Sequence, residues 1–134
     1  MVKPLIMIVD DDNSVRNALF NHLRREYNAT QFSDPNNAIN AYKSMNGSGQ
    51  SIAALITDHD MPPMSGPEML LKIKNEFPKQ YAQMVKIGYT GGGIARFFDN
   101  DLGQIHTFQK PVTPELLRRT LNYSLKERQI LLQQ

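Results

Sequence analysis

The sequence predicts a doubly wound α/β fold, a five-stranded parallel sheet with helices on both faces, and three observations predict it. Leu5-Ile6-Met7-Ile8-Val9 has no polar interruption, the mark of a strand buried on both faces as in parallel sheets. Four further strand-like runs follow, each separated from the next by helical spacing. Polar residues stand directly after the long runs: Asp10-Asp11-Asp12, Asp58, Thr90 and Lys110. Right-handed crossovers would bring these strand ends to one edge of the sheet, where open α/β sheets bind ligands.

The elements follow in order. A helix is expected from about Asn13 to Glu26, with Val15, Ala18, Leu19 and Leu23 on one stripe. Asn28 to Phe32 reads as a short strand nearer an edge. Ser33-Asp34-Pro35 offers a capping side chain and an early proline to a second helix. That helix carries Ala38, Ile39, Tyr42 and Met45 and breaks at Asn46-Gly47-Ser48-Gly49. The apolar run from Ile52 ends at Asp58 as the central strand. A third helix runs from Gly66 or Pro67 to Phe77, where Pro78 stops it. Met84 to Tyr89 is the fourth strand and Thr90-Gly91-Gly92-Gly93 a glycine-rich turn. The next helix, Ile94 to about Asn100, is expected to be short or mobile because glycines weaken its start. Ile105 to Phe108 is the fifth strand. From Thr113 or Pro114 the chain is helical to near its end, with Thr113 as N-cap, Pro114 at the first position and Glu115 in the first turn.

Composition narrows the function classes. At 134 residues, 40% hydrophobic and 21% charged, the chain reads as one soluble globular domain. A net charge of +2 is too small to argue for nucleic acid, and Arg118, Arg119, Lys126 and Arg128 read as a solvated helix face. The absence of cysteine excludes disulfides, thiol nucleophiles and Cys-type zinc sites. No apolar stretch approaches the ~20 residues that cross a bilayer. Met1-Val2-Lys3-Pro4 lacks a secretory pattern, so a cytoplasmic protein with no membrane partner is expected. The seven methionines read as core filling. Asp99, Asp101 and His22 read as surface residues and His59 as a packing residue. His106 is left open between packing and an output or pH-sensing role.

Asp58 is the most informative residue. It closes a buried strand and opens Asp58-His59-Asp60-Met61-Pro62-Pro63-Met64-Ser65-Gly66, a Pro/Gly turn that places its carboxylate for chemistry. Carboxylates crowded at one edge repel one another, so they want a divalent cation and a fixed ammonium. That combination accepts phosphate.

These residues resemble the receiver domain of two-component response regulators, over Leu5 to about Leu125. The resemblance lies in the acidic pair after the first strand, Asp-x-x-Met-Pro-x-Met-x-Gly from Asp58, Thr90 closing the fourth strand, and Lys110-Pro111 closing the fifth. It implies a flavodoxin-like sheet with strand order 2-1-3-4-5, and a phosphorelay in which Asp58 is the phosphoacceptor. Asp10 and Asp11 would hold Mg²⁺ (Mn²⁺ being a workable substitute), together with Asp58 and the backbone carbonyl of Asp60. Asp12 would be a supporting residue; three consecutive aspartates leave the register open by one residue, and strand length favours Asp10 and Asp11. Thr90 and Lys110 would stabilise the phosphoryl group, with Gly91 small enough not to crowd it and Lys110-Pro111 cis. The side chain of Asp60 would modulate transfer and lifetime. The implied partners are a histidine kinase or phosphotransfer protein and a downstream output domain or protein. No activity is implied beyond self-phosphorylation and self-dephosphorylation at Asp58.

Some positions depart from the family pattern. The usual aromatic three residues before the lysine is Thr107, and Phe108 should point to the opposite face. The switch region is therefore Thr107, a nearly silent substitute, or a bulge that recruits Phe108 or His106. Residues 1–125 form the expected domain and 126–134 an extension of the last helix. Ile130-Leu131-Leu132 is compatible with homodimerisation, a linker, or fraying. No DNA-binding helix-turn-helix occurs in the chain. Two rivals remain: an aspartate-nucleophile phosphatase of the haloacid dehalogenase type, with Asp10 as nucleophile and Asp12 as acid/base, and a degenerate receiver that only binds a partner. A nucleotide or flavin binder on the same fold would rest on Thr90-Gly91-Gly92-Gly93 alone.

Overall fold

A computed structural model describes residues 3–93, 97 and 101–132. Five parallel strands, β1 (Leu5–Val9), β2 (Asn28–Phe32), β3 (Ile52–Asp58), β4 (Val85–Thr90) and β5 (His106–Gln109), form one sheet. Their order is β2-β1-β3-β4-β5, the order expected. The helices among the described residues are α1 (Asn13–Leu23), α2 (Pro35–Gly47), α3 (Gly66–Glu76), α4 (Pro78–Gln83) and α5 (Pro114–Leu132). None of them is long and apolar enough to cross a membrane.

Alternation along the strands divides the core in two. Met7, Val9 and Leu55 face α2, α3 and α4, meeting Ala38, Tyr42, Met69, Leu70 and Ile73. Ile6, Ile8, Ile56 and Ile87 face α1 and α5, meeting Leu19, Leu23, Leu117 and Leu121. Every residue of β3 is buried, and side chains such as Leu55 and Ile56 contribute roughly 1.5–3 kcal/mol each. β2 is only half buried, as an edge strand is. Met7, Met61, Met64, Met69 and Met84 all lie in the α2–α4 half, where flexible side chains fill an irregular contact.

Local chemistry fixes the helix ends. Asp34 caps α2 by accepting the Asn36 N–H at 2.8 Å, with Pro35 in the first turn. Ser65 and Glu68 form a reciprocal capping box at α3. The Thr113 hydroxyl accepts the Leu116 N–H at 3.2 Å at the start of α5.

Several boundaries differ from expectation. α1 ends at Leu23, not Glu26; the Glu26 and Tyr27 N–H groups both bond the Leu23 carbonyl, turning the chain so that Tyr27 is buried and Asn28 enters β2. Pro78 does end α3, but it also opens α4, which was not expected; proline needs no N–H at a first helical position. β4 and β5 each begin and end one residue later than expected. The expected helix from Ile94 to Asn100 lies outside the described residues except for Phe97, and Asp99 lies outside them too. Leu121 and Leu125 pack into the α1–α5 core, while the side chains of Ile130-Leu131-Leu132 are outside the described set.

Candidate functional site

The register carries Asp10, Asp58 and Tyr89 to one end of the sheet. Val9 pairs with Thr57, and Asp58 pairs with Tyr89. Asp10 follows Ile8 and Asp58 follows Ile56 at two-residue spacing, so both carboxylates stand over the α1–α5 core.

The carboxylate oxygens of Asp10, Asp11 and Asp58 lie within 4.8 Å of one another. Asp10 is 0% exposed and Asp58 4%, whereas Asp11 is exposed. Across from them, Lys110 Nζ sits 3.1 Å from Asp58 Oδ1. The same Asp58 oxygen accepts the His59 N–H at 2.8 Å. Burial raises the pKa of Asp10 above the usual carboxylate range; the Tyr89 and Asp12 hydrogen bonds oppose this, and the charge on Asp58 adds to it. The three carboxylates are a hard, all-oxygen donor set that suits Mg²⁺ or Mn²⁺.

The remaining expected residues fall as follows. The Asp12 carboxylate caps α1, accepting the Ser14 and Val15 N–H groups at 2.9 and 3.2 Å, so it is committed to the helix and not to the cluster. The Asp60 carboxylate is exposed and lies 2.9 Å from His59 Nδ1. Thr90 is fully buried, with its hydroxyl oxygen accepting the Gly92 N–H at 3.0 Å. A Cβ on Gly91 would meet no protein atom within 4 Å, so a larger residue there would crowd only a bound group. The Lys110-Pro111 bond is cis, and the Lys110 N–H donates to the Thr90 carbonyl at 2.9 Å. Pro62-Pro63 is also cis, which was not anticipated.

Around the switch region, Phe108 packs into the α1–α5 core and Thr107 pairs with Gly88 on the other face. Above Gly88 lies the ring of Phe97; a Cβ there would sit 2.5 Å from it. Phe97 in turn meets His59 edge-on, with ring centres 5.1 Å apart. His59 is thus a packing residue, as expected. His106 Nε2 lies 3.0 Å from Ser124 Oγ at the far end of β5 from Lys110.

Two residues of the site were missed from sequence. Tyr89 is buried, and its hydroxyl donates to Asp10 Oδ2 at 2.5 Å while its ring lies 5.5 Å from Lys110 Nζ. The available signal was an aromatic residue two positions after Ile87, on the face that Asp58 uses. Arg16 was the other; it donates to the Asp10 carbonyl at 2.8 Å and to Gln31 at 3.0 Å, tying α1 to the start of the site. Gly66 also gains a reason: its Cβ would sit 2.3 Å from the Asp58 carbonyl, so only glycine lets α3 approach the end of β3.

The sheet order, with an acidic cluster and a lysine at its carboxyl edge, defines a doubly wound α/β domain with a charged strand-end site. Residues 6–122 match the response regulator receiver domain family, and the chain belongs to that family. It is 23% identical over 120 residues to chemotaxis protein CheY1 of Helicobacter pylori, covering 90% of this chain and 95% of that protein. The signal receiver domain of an HD domain-containing protein from Pseudomonas fluorescens superposes with a TM-score of 0.80 at 21% identity, over 100% of this chain and 95% of that one. A CheY-like receiver domain protein from Methanospirillum hungatei gives 0.76 at 25% identity, over 95% and 97%. The phosphatase reading is not favoured. Asp12, which that reading needs as acid/base, is committed to capping α1.

Proposed function

We propose that Asp58 accepts a phosphoryl group from a histidine kinase or phosphotransfer protein, and that the chain signals through the resulting change in its strand-end loops. The carrying observation is the placement of Lys110 Nζ 3.1 Å from Asp58 Oδ1, beside two further carboxylates within 4.8 Å. Asp10, Asp11, Asp58 and the Asp60 backbone carbonyl are the groups that would hold Mg²⁺. When bound, the cation neutralises the carboxylates and the phosphoryl oxygens as they approach.

The residues of the chain do the rest. A carboxylate oxygen of Asp58 attacks phosphorus as the P–N bond of a phosphohistidine breaks, leaving the imidazole with its electron pair. Lys110 turns from the carboxylate to a phosphoryl oxygen and keeps a positive charge beside the group throughout. The Thr90 hydroxyl accepts from Gly92 and keeps its own hydrogen to donate to another oxygen, at a strand end tied to Lys110 through the backbone. The product is a mixed anhydride that water removes. The exposed carboxylate of Asp60 borders that water's path and tunes the lifetime. A cytoplasmic location fits a kinase partner of this kind.

The test is incubation of the protein with Mg²⁺ and a small acyl phosphate, followed by intact-mass measurement. One phosphoryl group per chain is expected, base-labile, dependent on Mg²⁺ and absent from Asp58→Asn. Labelling that persists in Asp58→Asn, or none in the wild type, refutes the assignment.

A further inference from the structure

Tyr89 takes no part in the transfer chemistry, yet it sits at the centre of the site. It is 1% exposed, and its hydroxyl donates to Asp10 Oδ2 at 2.5 Å. The other oxygen of Asp10 accepts the Asp12 N–H at 2.9 Å. Its main chain is held too, the N–H by the Phe32 carbonyl at 3.1 Å and the carbonyl by Arg16 at 2.8 Å. Every polar atom of Asp10 therefore has a protein partner.

Two effects follow from the hydroxyl, and they act in one direction. An O–H donor withdraws charge from the carboxylate and occupies a lone pair that a cation, or its bound water, would use. It also eases the repulsion among Asp10, Asp11 and Asp58 when no cation is there to do so. Both favour the cation-free site. Positioning of Asp10 does not depend on the hydroxyl alone, because burial, β1 and the Asp12 N–H already hold it.

We propose that Tyr89 is a positioning residue whose hydroxyl holds Asp10 and weakens divalent-cation binding, setting the cation level at which the site becomes competent. This rests on the reading that the acidic cluster binds Mg²⁺. The test is calorimetric titration of the full chain and of Tyr89→Phe with Mg²⁺ alone, no phosphodonor being present. Binding about tenfold tighter in Tyr89→Phe is expected, the scale of one charge-assisted hydrogen bond. A second readout needs only the wild type with ¹³C-labelled tyrosine rings: among five tyrosines, the Tyr89 ring resonance should move in step with Mg²⁺ saturation. A merely space-filling ring would leave the affinity unchanged. Equal or weaker binding by Tyr89→Phe, or a Tyr89 resonance that stays still, overturns the proposal. If the wild type binds Mg²⁺ and is labelled on Asp58 while Tyr89→Phe titrates identically, this inference alone fails. If the wild type neither binds Mg²⁺ nor is labelled, the phosphoacceptor reading fails with it.

Discussion

Replacing Asp10 by asparagine should make the metal-free protein more stable. Two carboxylates within 4.8 Å repel by about 3.5 kcal/mol at an effective dielectric near 20. Asp10 and Asp58 are both buried, so water screens this pair poorly. Lys110 offsets part of the repulsion, and it is itself partly exposed. The substituted amide would keep the Asp12 N–H as a donor to its carbonyl oxygen, and its NH₂ could donate to the Tyr89 oxygen after the hydroxyl turns round. That rearrangement costs about 1 kcal/mol. A net gain of ~1–2 kcal/mol is expected at neutral pH. The pH dependence has a definite sign. The folded pKa of Asp10 is raised above its ordinary 3.8, chiefly by burial. The folded state then binds more protons than the unfolded chain in the window above 3.8, so wild-type stability falls as pH rises through that window. The advantage of Asp10→Asn should be near zero below it and full above it. Urea unfolding in a chelator, with an unchanged m-value, measures the effect. An Asp10→Asn protein no more stable than wild type at neutral pH would show that the cluster is not under electrostatic strain.

Three further outcomes follow from other contacts. Lys86 is 6% exposed on β4, and burial, then the neighbouring charge of Lys74, lowers its pKa to about 8; its ammonium is partly held by the Tyr81 carbonyl at 2.8 Å and the Tyr81 ring at 4.3 Å. Lys86→Met should therefore lose up to roughly 3 kcal/mol of its advantage over wild type as pH rises from about 8 to the unfolded value of 10.5, followed by thermal unfolding against pH. Gly66→Ala should cost roughly 3 kcal/mol, because the Asp58 carbonyl 2.3 Å from the new Cβ is backbone and must move; chemical denaturation measures it, and a neutral result removes the close-approach argument. Lys110→Gln should slow acyl-phosphate labelling of Asp58 by about a hundredfold, and mass spectrometry against time would expose an unaffected rate.

The sequence made the sheet legible because its strands are buried on both faces and its site residues follow them directly. Leu5–Val9 and Ile52–Asp58 needed no tertiary information, and strand ends alone forecast that Asp10, Asp11, Asp58 and Lys110 would meet. Asp12 was ambiguous for a physical reason: an aspartate before a helix and an aspartate at a metal site look identical until the hydrogen bonds to Ser14 and Val15 are seen. The end of α1 and the start of α4 were misjudged because burial of Tyr27 and the dual use of Pro78 are tertiary choices between allowed local conformations. Phe97 illustrates the same limit. Thr107 announces a missing bulk beside Gly88, but nothing in the local pattern says which distant ring fills the space.

Burying carboxylates beside one another is a poor way to stabilise a fold, so their burial needs another explanation. A cation that binds only the folded cluster stabilises it in proportion to its affinity. If the cluster holds Mg²⁺ as proposed, binding would relieve the strain that Asp10 and Asp58 impose when alone, and that relief would add to the affinity for the ion. Exposed carboxylates such as Asp11 could supply the same ligand atoms without the strain, but water would screen their interaction with the incoming charge. Lys110 and Tyr89 limit how far the strain goes. One places an ammonium against Asp58 and the other a hydroxyl against Asp10, and the lysine amine lies over the tyrosine ring. Removal of the whole Tyr89 side chain would therefore act on both halves of the site at once, on the charge that a cation at Asp10 would see and on the surface on which Lys110 rests.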